Sequence, residues 1–193
     1  MSNNIEIEKR VMLTKEQYEN LFHYASKFTN KESFVLINHY FDDANLSLRN
    51  AHYMLRIRNI NDNDYELTLK IKGDNGDTEI NKPISLDRVN ELIKDFDYED
   101  IDITPYILKA TNNKLRYITS LKTERIEIKF DNYLFVLDKN YYSDVIDYNL
   151  EIEAKSIKDA NEIIKKYCDE YGMQYSKDYK SKSRRAINKA LNI

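Results

Sequence analysis

Apolar and charged side chains alternate with a two-residue period in stretch after stretch of this chain, and that period predicts β-strands. From Asn4 to Arg10, Ile5, Ile7 and Lys9 fall on one face while Glu6, Glu8 and Arg10 fall on the other. Near the far end, Asn149 to Lys155 repeats the design, with Leu150, Ile152 and Ala154 opposing Glu151, Glu153 and Lys155. Between these acidic segments the charged faces turn basic. His52–Ile60 sets Met54, Arg56 and Arg58 against Tyr53, Leu55 and Ile57. Tyr65–Gly73 sets Glu66, Thr68, Lys70 and Lys72 against Tyr65, Leu67, Leu69 and Ile71. The intervening "NDND" reads as a hairpin turn. Tyr117–Phe130, Tyr133–Tyr142 and Tyr148–Ser156 follow as three strands in meander order, and Ser33–Asp43 is a further strand ending in a polar turn.

Period-3.6 stripes mark the helices. Over Leu13–Phe28, Leu13, Tyr18, Leu21, Phe22 and Ala25 share a face, and Thr14 with Gln17 forms a capping box. Ile84–Phe96, a short stretch within residues 97–111, Ile157–Gly172 and the basic tail from Lys177 complete the helical set. Only three Gly and two Pro occur, and no linker-like run breaks the chain, so one domain over 1–193 is expected.

Composition narrows the setting. The chain has 41% hydrophobic and 33% charged residues, with a net charge of −3, so no global field selects nucleic acid or an anionic membrane as a partner. No run approaches the roughly 20 apolar residues that span a bilayer. The first residues lack a signal-peptide pattern, and the single Cys168 rules out an internal disulfide. A cytoplasmic protein is expected.

What remains distinctive is the clustering of like charges on strand faces. Like charges side by side cost free energy unless a counter-charged ligand or ion relieves them. If helices cover the apolar faces, the charged faces turn inward, and a closed antiparallel sheet of about eight strands encloses a polar bore. Carboxylates there suit a hard divalent cation, and Arg and Lys suit phosphate oxygens. The inferred ligand is a metal-bound polyphosphate. No phosphate-binding glycine loop is present, His23, His39 and His52 have no zinc spacing, and Cys168 lies on a helix as a structural thiol.

The ordered series of the E-x-E opening, "NHYFDD", "LRIR", "LTLK", the late Asp138 and "LEIE" resembles the CYTH superfamily, or triphosphate tunnel metalloenzymes, over essentially the whole chain, and most closely its bacterial adenylate cyclase-like branch. The resemblance implies an α+β fold built on a closed antiparallel β-tunnel flanked by helices. It implies Mg²⁺ or Mn²⁺, a small-molecule triphosphate substrate, and a monomer or homodimer. Glu6, Glu8, Asp138, Glu151 and Glu153 match the family's metal carboxylates. Arg56, Arg58, Lys70 and Arg125 match its phosphate-holding positions, with Lys72 on the same face. Lys182 and Arg185 share a helical face at one tunnel end, Tyr40 matches a tyrosine near the site, and Glu79 follows the "GDNGDT" loop. Arg10 stands where the family usually has Lys, and it is taken with Tyr40 as a catalytic candidate. It keeps the charge but cannot release a proton at ordinary pH. Three functions stay open: metal-dependent hydrolysis of inorganic or thiamine triphosphate, cyclisation of ATP to cyclic AMP, and triphosphate binding without catalysis.

Overall fold

A computed structural model describes residues 2–62, 64–73, 77–98, 102–176 and 180–193; side chains are described from Ile7 onward. The strands are β1 (Ser2–Glu6), β2 (Glu8–Leu13), β3 (Lys31–Asp42), β4 (Tyr53–Ile60), β5 (Asp64–Ile71), β6 (Asp77–Pro83), β7 (Arg116–Lys129), β8 (Tyr133–Tyr142) and β9 (Val145–Ala154). The helices are α1 (Lys15–Ser26), α2 (Ser47–Asn50), α3 (Leu86–Lys94), α4 (Thr104–Ile107), α5 (Ile157–Tyr171) and α6 (Lys182–Leu191). Strand order is β1-β6-β5-β4-β3-β7-β8-β9-β2, with β4–β5, β5–β6, β7–β8, β8–β9 and β2–β9 antiparallel. The predicted α+β class and the β7-β8-β9 meander are therefore what the chain adopts.

Two strand readings need correction. The segment Asn4–Arg10 is not one strand: it breaks at Ile7, with β1 lying beside β6 and β2 pairing with β9. Two-residue alternation runs straight through such an exchange of partners, so it cannot reveal it. The second correction is β6, which alternation missed because "DTEINKP" contains one large apolar residue, Ile80. Pairing with β5 makes it a strand, in a register that places Lys70 opposite Glu79.

The chain divides into two compact units, and each has its own core. The first comprises Met1–Ile5, Ile37–Leu121 and Lys182–Ile193. Its strands bury Leu55, Ile57, Leu67, Leu69 and Ile80 with Val89 and Leu92 of α3 and Ile107 of α4. The second comprises Glu6–Leu36 and Lys122–Ser181. There Val11, Ile128, Phe135, Leu137, Leu150 and Ile152 pack with Leu21 and Ala25 of α1 and Ile164, Tyr167 and Cys168 of α5. In both units the helices cover the apolar sheet face, as the alternation required. The charged face is left for other work.

Local chemistry fixes the element ends. Thr14 and Gln17 form the predicted capping box at α1. Gly172, at φ +61°, ends α5 in the left-handed conformation that suits a residue without Cβ, and the Met173 N–H donates to the Cys168 carbonyl. The turn after β3 is built by two buried aspartates. Asp42 accepts the backbone N–H groups of Leu48 and Arg49, at 3.0 Å each. Asp43 accepts those of Asn45 and Ser47 at 2.9 Å, the Thr111 hydroxyl at 2.7 Å and the Asn113 amide at 2.9 Å. Burial alone would push the Asp43 carboxyl up, but these hydrogen bonds hold it well below the ordinary carboxylate range.

Asp43→Ala is expected to cost about 2–4 kcal/mol at pH 7, since it removes a turn cap and leaves buried donors unpaired. A carboxyl depressed in the folded state stabilises fully above its unfolded pKa of about 3.9 and loses that contribution as pH falls further. The wild-type advantage over Asp43→Ala in chemical denaturation should therefore shrink below about pH 4. A gap that stays constant from pH 7 to pH 3 would show that the ionised carboxylate is not its source.

Candidate functional site

On the charged face of the second unit, carboxylates and guanidiniums interlock. The β2–β9 register places Glu8 opposite Glu153 and Arg10 opposite Glu151, and the β7–β8 register places Arg125 opposite Asp138. Arg125 grips Asp138 with both arms of its fork, Nε to Oδ1 at 2.8 Å and Nη2 to Oδ2 at 3.0 Å. It also donates to Glu127 at 3.2 Å and to Glu151 Oε2 at 3.3 Å. Arg10 donates from Nε to Glu151 Oε1 and from Nη2 to Glu8 Oε1, the latter at 2.9 Å. Glu151, 2% exposed, thus bridges two guanidiniums, and Asp138 is fully buried. Burial opposes charge on Arg10 and Arg125, yet the surrounding carboxylates win and raise both above the ordinary arginine value.

A buried amide chain continues from this network. Asn149 donates to Asp138 at 3.3 Å, and Asn140 donates to Asn149 at 2.8 Å and to Asp147 at 2.9 Å. Thr123 donates to Asn140, and the Tyr142 hydroxyl donates to Asp147 at 2.6 Å. The sequence reading did not select Glu127 or Asn149. Both lie two residues from a chosen position on the same strand face, which is the signal that could have found them.

The first unit carries the basic set. Glu79, buried on β6, lies 3.2 Å from Lys70 and 3.7 Å from Arg56. Burial favours its neutral form, but Arg56, Lys70 and Arg58 hold the carboxyl below its ordinary value. Lys70 also lies 3.5 Å from Asp77, and Arg58 Nε donates to Asn38 at 3.0 Å. Arg56 is only 8% exposed, and its Nε is buried with no hydrogen-bond partner among the described residues. An unpaired buried guanidinium N–H is costly, which makes this position receptive to an anionic acceptor.

The remaining candidates are placed less centrally. Tyr40 is buried on β3. Lys72 is exposed just past β5, its backbone N–H donating to the His52 carbonyl. Lys182 and Arg185 are half-buried on α6 beside buried Ala186 and Ile187. The side chain of Glu6 lies outside the described residues. Lys122, three residues before Arg125 and not a candidate, sits off the Arg125 face with its ammonium over the Tyr141 ring.

Mg²⁺ and Mn²⁺ take oxygen donors, so the carboxylates of β2, β8 and β9 suit such an ion chemically. Among the described residues, no group of three or more His, Cys, Asp or Glu is gathered for a metal. Arg10 and Arg125 stand between the carboxylates instead. Among the described residues, no helix is long and apolar enough to cross a membrane.

Comparison with known proteins agrees with this architecture. "Putative triphosphatase YjbK" of Bacillus subtilis (strain 168) is 32% identical over 175 residues, covering 90% of each chain. A crystal structure of a "putative adenylate cyclase" from Bacillus halodurans superposes with a TM-score of 0.85 at 23% identity, covering 96% of this chain and 98% of that one. HpAC1 of Hippeastrum, described as a "putative adenylyl cyclase" with a dominant triphosphatase activity, superposes with a TM-score of 0.78 at 18% identity, covering 93% and 94%. These two likenesses show the fold, which is the antiparallel β-tunnel class with flanking helices. The family model described as the CYTH domain matches residues 4–187, and the chain belongs to the CYTH domain family.

Proposed function

We propose that this protein is a metal-dependent triphosphatase acting on inorganic triphosphate or a small organic triphosphate. The observation that carries the reading is Arg56, a buried guanidinium whose Nε has no hydrogen-bond partner among the described residues, on the same basic face as Arg58 and Lys70. That is a socket for phosphate oxygen. The relationship to YjbK supports hydrolysis as the activity.

In this reading Glu6, Glu8, Asp138, Glu151 and Glu153 hold Mg²⁺ or Mn²⁺. When bound, such an ion neutralises phosphate charge and orients a water nucleophile. Arg56, Arg58 and Lys70 draw phosphate oxygens into place and offset the charge that gathers on the leaving group. Arg125 contributes through the carboxylates it orients as well as by its own charge. Lys72, Lys182 and Arg185 add positive charge at more exposed positions. Tyr40 is a hydroxyl candidate for orienting substrate. Glu79 keeps Arg56 and Lys70 folded into position without a ligand.

The test is phosphate release from inorganic triphosphate, thiamine triphosphate and ATP, each with Mg²⁺, Mn²⁺ or EDTA. Release from at least one triphosphate that EDTA abolishes is the expected result. Cyclic AMP formation from ATP without phosphate release would replace hydrolase by cyclase. Tight triphosphate binding with no product of either kind would leave a binding module.

A further inference from the structure

Arg10 and a divalent cation would compete for the same oxygens. The side chain is 15% exposed, and its fork reaches from Glu8 on its own strand to Glu151 on the neighbouring strand. Glu151 has both oxygens engaged, Oε1 by Arg10 and Oε2 by Arg125. A cation arriving at Glu8 and Glu151 therefore meets a fixed positive charge in a site where water screens little. It also meets carboxylate oxygens that already accept charge-assisted hydrogen bonds.

We propose that Arg10 is a tethered counter-ion that occupies the Glu8–Glu151 pair in the free protein and sets its affinity for a divalent cation. The inference rests on the reading that these carboxylates hold the metal. A polyphosphate supplies other oxygens for the guanidinium, so Arg10 can exchange carboxylate for phosphate and release Glu8 and Glu151 to the cation. Metal and triphosphate then bind together, each favouring the other. The fork matters: a guanidinium spans two carboxylates, whereas an ammonium at this position is a point charge that would hold one of them less firmly.

Isothermal titration with Mn²⁺ alone, on wild type, Arg10→Gln and Arg10→Lys, tests this directly. Removing one like charge at this distance should tighten Mn²⁺ binding by about tenfold or more in Arg10→Gln, with Arg10→Lys between. Equal affinities in all three proteins would overturn the proposal while leaving the carboxylates as metal ligands. Absence of Mn²⁺ binding in all three would also overturn it, because Arg10 would not be what limits affinity. If Arg10→Gln does not fold, the wild-type protein gives the answer by NMR. The Arg10 Nε–H signal should shift or vanish on saturation with Mg²⁺ and inorganic triphosphate. A signal that stays in place while the ion binds would overturn the exchange. Failure of the underlying metal reading shows separately, as phosphate release that EDTA leaves intact.

Discussion

Glu151→Gln is expected to lower the proposed metal-dependent phosphate release by about a hundredfold or more, because losing a proposed carboxylate ligand would remove several kcal/mol of charge stabilisation. The substitution keeps the shape of the side chain and removes its charge. Glu151 is the residue at which the second unit's network converges, receiving Arg10 on one oxygen and Arg125 on the other. It is also one of the least exposed carboxylates on that face, at 2%. Both guanidiniums retain other acceptors, Glu8 for Arg10 and Asp138 for Arg125, so the fold should survive at a cost of about 2–3 kcal/mol. The discriminating measurement is kcat/KM with Mn²⁺ alongside a thermal melt, with Glu19→Gln on the exposed face of α1 as a control. A folded Glu151→Gln protein that keeps kcat/KM within threefold of wild type would remove Glu151 from the metal-binding set. A melt showing global unfolding would call for the milder Glu153→Gln.

The sequence carried the charged faces but not the pairings within them. Alternation alone put Glu151 with Glu153 on a shared face, and the stripe over Leu13–Phe28 identified the side that buries Leu21 and Ala25. It could not place Arg125 opposite Asp138, because that contact depends on the β7–β8 register, which only the folded ladder sets. Nor could it separate a guanidinium held by hydrogen bonds to carboxylates from one that also keeps an open donor. Arg10 and Arg125 belong to the first kind, whereas Arg56, 3.7 Å from Glu79, has an Nε with no hydrogen-bond partner among the described residues, although the three are alike in sequence. The split at Ile7 and the weakly apolar β6 were hidden for a related reason: partner strands decide both. The resemblance to a family supplied roles for these residues, and the structure adds the hydrogen-bond partners that make the roles testable.

Arg125→Met should destabilise the protein more than any other single change on this face, by about 3–5 kcal/mol, because it removes the two-armed cation from fully buried Asp138 and one of the two guanidiniums that Glu151 bridges. Asp138 has no exposed surface, and the loss would leave it the Asn149 amide at 3.3 Å among its described hydrogen bonds. In a chain of this size such a loss corresponds to a fall of roughly 6–20 °C in Tm. A double-mutant cycle isolates the pair. Arg125→Met with Asp138→Leu removes the stranded charge together with its partner, so the double variant should be more stable than the sum of the single effects by about 1–3 kcal/mol. Additive losses would mean that the two-armed contact between Arg125 and Asp138 contributes little. Activity should not recover with stability in the double variant, because Asp138 is a proposed metal ligand. Regained folding without regained phosphate release would therefore separate what this arginine does for the fold from what the carboxylate does for chemistry.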